Sequence, residues 1–203
     1  MNTQGLIDIG ANLSHPQLYD QLEKIVDNII SSETQSVIIT SSNLEDTIIA
    51  LDIINKYPNI FYTTVGYHPH NAKDFKSEYI DLINNYCKQK EIVAIGECGL
   101  DYYREYSSIN EQMFCFENHL MIAEKNDMPI FLHERKAHKD FVSTLKKYKD
   151  KINKAVVHCF TGDKSELKSY IEMDCYIGIT GWISDLNRGK HLHDIIKYIP
   201  KDR

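Results

Sequence analysis

The sequence predicts an α/β fold of the (β/α) TIM-type barrel class, with seven βα units. Three observations carry that prediction. Short apolar runs alternate with amphipathic segments along the whole chain, which implies parallel strands joined by helical crossovers. Three of the apolar runs close on a side chain able to bind metal, namely Glu97, His133 and His158. Barrels build their sites from side chains at the carboxyl ends of separate strands. Finally, no glycine-rich phosphate loop of either usual type occurs, which argues against a doubly wound dinucleotide-binding sheet.

Taken in order, strands are expected at about 6–12, 36–42, 61–68, 92–98, 129–134, 154–160 and 175–183. Amphipathic segments fall between and after them, at about 15–31, 44–57, 75–89, 110–127, 137–149, 164–173 and 189–198. Residues 44–57 show the helical period, with Leu44, Ile48, Leu51 and Ile54 on one stripe. Residues 92–101 begin as an apolar run dense enough to be buried on both faces; a break is expected at Gly96, with Glu97 immediately after it. Residues 129–133 run to His133 and residues 155–158 to His158 in the same manner. A barrel of this type typically needs ~250 residues and eight strands. The chain is therefore expected to be one domain, 1–203, truncated at its C-terminal side and without an eighth strand and last helix.

Bulk properties narrow the function classes. A 203-residue chain that is 42% hydrophobic and 26% charged fits one globular domain with a sizeable core. The net charge of −6 offers no strongly basic surface for nucleic acid, although bound cations can offset the local field at a site. Five cysteines, with no Cys-x-x-Cys pair, read as reduced thiols. The N-terminus shows no basic segment followed by an apolar core, and no apolar run approaches the ~18 residues of a membrane span. The expectation is a soluble cytoplasmic protein with no membrane partner; its oligomeric state is not legible.

The strand-end residues can be read in two ways. An isolated carboxylate behind four apolar residues cannot be buried unpaired, so Glu97 stays neutral, pairs with a cation such as Arg135, or binds metal. A single buried histidine is most simply a hydrogen-bonded core residue, but Glu97, His133 and His158 together favour a metal site. His68 and His70 close the third strand, where Pro69 ends pairing, and can line the same mouth. Asp101 and Arg104 lie on the loop after Glu97 and either orient a substrate or pair with each other at the surface. Arg135, two residues past His133, points to the same side of its strand and can fork onto a phosphate. Asn12 is a cap, a turn residue or a weak ligand. Trp182 reads as packing, with base stacking as the minority reading. Cys98 and Cys159 read as small packing residues, and His119, His138, His191 and His193 carry no assigned role.

Several stretches together carry a family resemblance. They are Asp8-Ile-Gly-Ala-Asn12-Leu, Gly66-Tyr-His68-Pro-His70, Ala94-Ile-Gly-Glu97-Cys-Gly-Leu-Asp101, Pro129-Ile-Phe-Leu-His133-Glu-Arg135, Val157-His158-Cys-Phe-Thr-Gly162 and Tyr176-Ile-Gly-Ile-Thr-Gly181-Trp182. In these, and in their order, the chain resembles the TatD-type metal-dependent deoxyribonucleases among the amidohydrolase-like barrels. The resemblance implies a divalent metal on Glu97, His133 and His158, with Mg²⁺ expected and Mn²⁺ or Zn²⁺ also admitted by such donors. It implies phosphodiester hydrolysis on DNA, as a 3′→5′ exonuclease on single strands, with RNA as a further substrate. Where many relatives carry His-x-His, this sequence has Gly10 and Asn12; the family's last-strand Asp lies beyond Arg203. Two other readings stand beside this one: a metal-dependent amide or ester hydrolase of the same superfamily, and an inactive truncated fragment.

Overall fold

A computed structural model describes residues 5–203. Seven strands form a single sheet: β1 (Leu6–Ala11), β2 (Thr34–Ile39), β3 (Phe61–Val65), β4 (Ile92–Asp101), β5 (Ile130–Arg135), β6 (Ala155–His158) and β7 (Tyr176–Ile177). Each pairs with its sequence neighbour, in the order β1-β2-β3-β4-β5-β6-β7, and every pairing is parallel. Sequential parallel neighbours joined by helices are the barrel arrangement. The sheet curls as a TIM-type barrel does but is open among the described residues, because β1 pairs only with β2. At the other edge the Ile177 amide donates to the Arg203 carbonyl (2.9 Å).

The crossovers are α1 (Pro16–Tyr19) with α2 (Leu22–Ile30), α3 (Leu44–Lys56), α4 (Tyr79–Tyr86), α5 (Ile109–Asn126), α6 (His138–Leu145) and α7 (Lys164–Glu172); α8 (Leu192–Ile195) follows β7. Their starts are written locally. Asn43 accepts from the Asp46 amide ahead of α3, and reciprocal capping boxes, Ser108 with Glu111 and Asp163 with Glu166, open α5 and α7. Asp127, at φ 50°, ends α5 in the left-handed conformation that terminates helices. None of the described helices is long and apolar enough to cross a membrane.

Two apolar clusters hold the layers together. The larger packs Ile95, Leu100 and Leu132 of the sheet against Phe116 and Leu120 of α5 and Phe141 of α6, with the Phe116 and Phe141 rings stacked 5.0 Å apart. The smaller joins Val26, Ala50 and Ile53 to Val37, Ile39 and Phe61. Here the expected α3 stripe is rotated. Of that stripe Ile54 is buried, Leu44 and Leu51 are partly buried against the core and Ile48 is 51% exposed, while the inward face is made by Thr47, Ala50, Ile53 and Ile54.

The main departure from expectation lies in β4. It does not stop at Gly96 but continues to Asp101, paired with β5 as far as Arg135. The register shifts between Gly96 and Cys98, so Glu97 has no partner in β5 and is the extra residue of a bulge. Gly96 permits this at φ 134°, where a Cβ would collide with the Phe131 carbonyl oxygen. A bulge beside a site re-aims one side chain, and Glu97 is that side chain.

Candidate metal centre

Glu97 is aimed into the mouth of the sheet, where residues from three neighbouring strands meet. His133, the fourth residue of β5, places Nδ1 3.0 Å from Glu97 Oε1. His68 follows β3 after Gly66 and Tyr67, and its Nε2 lies 3.2 Å from His133 Nδ1 and 3.8 Å from Glu97 Oε1. One ligand atom each from His68, Glu97 and His133 falls within 4.8 Å of the others. Pro69 starts a 3₁₀ turn, Pro69–Asp74, capped by His68, whose Nδ1 accepts from the His70 amide (3.1 Å).

An outer ring fixes these groups. Asp101 is 1% exposed, and its Oδ2 faces His70 Nε2 at 2.8 Å and His133 Nε2 at 3.5 Å. Its Oδ1 accepts from the Tyr103 and Arg104 amides, while Gln112 of α5 clamps its backbone on both sides. Behind the His68 corner, the buried His119 of α5 accepts from the Tyr67 amide through Nε2 (3.0 Å) and donates from Nδ1 to the Cys115 carbonyl (2.8 Å).

Charge separates the groups by role. Burial pushes His68 down to about 3, only partly opposed by Glu97. Burial alone would raise Glu97, but the His133 hydrogen bond and the charges around it hold the carboxyl at about 2. His133 is pushed down by burial, yet the facing Asp101 and Glu97 carboxylates outweigh that and keep its pKa at about 9. His158 is lowered by burial.

The protons among these atoms cannot all be satisfied. Since His68 Nδ1 accepts from an amide, a neutral His68 carries its proton on Nε2, directed at His133 Nδ1. That same His133 nitrogen must carry a proton for its approach to the Glu97 carboxylate to be attractive. In addition, His133 Nε2 is buried without a hydrogen-bond partner among the described residues. A cation taking lone pairs from Glu97 and His133 removes the conflict and leaves His133 Nε2–H facing Asp101, a carboxylate–histidine support common around bound metals. The donor set therefore fits a divalent metal.

The remaining expected residues are placed as follows. His158, ending β6, packs at a tilt of 32° against Phe131 with ring centroids 4.7 Å apart and lies outside the tight group of His68, Glu97 and His133, although both Glu97 and His133 act on it electrostatically. Asn12 lines the same mouth, but its Oδ1 accepts from the Thr40 hydroxyl (2.6 Å). Arg104 touches Asp101 only through its backbone and its side chain is exposed, so no surface ion pair forms between them. Arg135 makes no ion pair with Glu97; its guanidinium stacks on Tyr103 at 3.9 Å. Cys98 and Cys159 have thiols raised by burial, which suits packing rather than attack. Tyr106, packed 4.8 Å from the His70 ring, and Lys73 also line the mouth and went unnoticed in the sequence, where nothing but their nearness to His70 and Asp101 marks them.

Comparison with known proteins gives the family and the fold. A family model described as TatD related DNase matches residues 7–203. The chain is 36% identical over 198 residues to a protein from Erwinia tasmaniensis named 3'-5' ssDNA/RNA exonuclease TatD, covering 98% of this chain and 76% of that one. Among solved structures, a hydrolase of the TatD family from Entamoeba histolytica superposes with a TM-score of 0.86 at 31% identity, over 97% of this chain and 71% of that one. A TatD homologue from Escherichia coli K12 reaches the same TM-score of 0.86 at 22% identity, over 96% of this chain and 75% of that one, a likeness of fold.

Proposed function

The chain belongs to the TatD related DNase family and is a nuclease, and on that premise we propose that it removes nucleotides from the 3′ ends of single strands with a divalent metal. The observation that carries this reading is the convergence of Glu97, His133 and His68, with His68 and Glu97 both crowding the same His133 Nδ1. Glu97 and His133 form the common core of the proposed site. His158 would complete the ligand set from β6, and His68 flanks it from β3. A metal held there supplies charge neutralisation at the phosphate and a water acidic enough to attack at neutral pH. Mg²⁺ is the expected ion, and the mixed carboxylate and imidazole donors also admit Mn²⁺ or Zn²⁺.

The chain's own groups carry the rest of the chemistry. Asp101 is held ionised well below the usual carboxylate range: burial would raise it, but His133 and His70 outweigh that. It therefore keeps His133 and His70 oriented. His70, bonded through Nε2 to Asp101, would line the substrate's side of the mouth. Arg135 offers a guanidinium free of ion pairs among the described residues to a substrate phosphate, and Arg104 can reach the strand from the exposed loop. Asn12, bonded to Thr40, shapes the wall.

The test uses a single-stranded oligonucleotide labelled at either end, with Mg²⁺ or Mn²⁺. Label at the 3′ end should be released first, and both EDTA and Glu97→Gln should abolish release. Equal release by wild type, Glu97→Gln, His158→Ala and EDTA-treated enzyme would reject the reading. Loss of 5′ label first would reject its polarity.

A further inference from the structure

Beside the metal centre, and sharing with the proposed site only Arg135, lies a cleft of about 220 Å³. Its walls carry Tyr103, Arg135, Thr161, Trp182, Arg188 and His191. The Arg135 guanidinium lies 3.9 Å from the Tyr103 ring centroid and 5.9 Å from that of Trp182, and the Arg188 guanidinium lies 4.6 Å from Trp182. Cations and aromatic faces thus alternate along one wall. The cleft adjoins the catalytic mouth through two short links. Arg135 is two residues beyond His133 on β5 and pairs in register with Asp101, and the Tyr103 amide donates to Asp101 Oδ1 (2.8 Å).

Its charges lean towards an anion. The two acids in the wall are engaged elsewhere: Glu134 accepts from the Ala137 amide and the Tyr170 hydroxyl, and Glu166 accepts from the Asp163 amide. Asp185 pairs with Arg188, whereas Arg135 has no ion pair among the described residues. Exposure points the same way. Tyr103 is 61% exposed and Trp182 is only partly buried, so both rings remain within reach of a ligand entering the cleft. The volume is below the ~300–1,000 Å³ of pockets that enclose a whole drug-sized ligand, and suits one base rather than a folded ligand.

We propose that this cleft is a nucleotide subsite, which stacks one unpaired base of the substrate strand on Trp182 and Tyr103 and holds its phosphate on Arg135 and Arg188. This rests on the nuclease reading and deepens it. The scissile phosphodiester sits at Glu97 and His133 while the neighbouring nucleotide sits in the cleft, so single strands are selected because a paired base cannot leave its stack for the aromatic wall.

The chain contains one tryptophan, Trp182, so its emission reports on this cleft alone. In EDTA, oligo(dT) of increasing length, oligo(rU), dTMP and a blunt duplex would be titrated against that emission. Stacking of one base changes affinity by roughly five- to a hundredfold. Oligomers of three or more nucleotides should therefore quench Trp182 and bind at least about tenfold more tightly than dTMP, and the duplex should not quench. Arg188→Ala and Trp182→Phe should raise KM for single strands by about five- to tenfold while kcat changes little; Trp182→Ala should raise it more. Unchanged emission with oligomers that the wild type degrades, or wild-type KM in Arg188→Ala and Trp182→Ala, would overturn the subsite and leave the nuclease reading standing. Quenching without hydrolysis under any metal would do the reverse. Equal quenching by dTMP and long oligomers would assign the cleft to free nucleotides and also overturn the proposal.

Discussion

Metal binding to this site should release one proton near neutral pH, and the structure states which one. His68 and Glu97, at about 3 and about 2, are already deprotonated at pH 7, whereas His133 is held at about 9. A metal needs the neutral imidazole, so it must displace the His133 proton. Two pH units of separation correspond to ~2.7 kcal/mol, or an apparent affinity on the order of 100-fold weaker at pH 7 than above pH 9. Affinity should therefore climb about tenfold per pH unit from pH 6.5 to 9 and then level off. Calorimetric Mn²⁺ titrations in buffers of different ionisation enthalpy count the proton directly. Asp101→Asn removes one of the carboxylates that raise His133, and should move the plateau to lower pH. The metal-free protein carries the same linkage. Because the folded pKa of His133 is raised, its stabilising contribution is complete below about pH 6.5 and is lost as pH rises through about 9. Affinity independent of pH between 6.5 and 8.5, or release of two protons, would refute the reasoning.

Three further outcomes follow from the packing. His119→Leu leaves the Tyr67 amide buried without an acceptor, so a loss of ~1–3 kcal/mol is expected by denaturant unfolding, together with weaker metal binding at the loosened His68 corner. Gly66→Ala places a Cβ 2.8 Å from Gly96 Cα, against rigid backbone at the β4 bulge; a loss of ~1–3 kcal/mol and of nuclease activity is expected, and wild-type thermal stability would contradict it. Ser108→Ala removes the α5 cap, so denaturant unfolding should show a loss of ~1 kcal/mol, and an unchanged midpoint would contradict it.

Much of the architecture was legible because it rests on local patterns. Apolar runs marked all seven strands, although the last, expected over 175–183, stops at Ile177 and gives way to a 3₁₀ turn at Gly181–Ser184. What escaped depends on contacts between distant residues. The β4 bulge could not be foreseen because Gly96 looks like a terminator until β5 is seen passing against it and carrying pairing on to Asp101. In α3 the inward face takes Thr47 and Ala50 and leaves Ile48 outside, a choice between neighbouring faces that hydrophobicity alone does not encode. At the site, Glu97 and His133 were legible as polar residues closing apolar runs. The tight contact of His68 with them was not, since it joins residues 29 and 65 positions apart, and the corner that delivers it is fixed by His119 from another helix. The juxtaposition of Trp182, Arg188, Arg135 and Tyr103 was equally invisible, because it assembles three separate loops and strand ends.

The most direct measurement is anomalous diffraction from crystals soaked in Mn²⁺. The account predicts a peak bonded to Glu97 and His133, with His158 or His68 completing the shell and Asp101 behind His133. A peak elsewhere, or an empty cleft between Glu97 and His133 at saturating Mn²⁺, would contradict it.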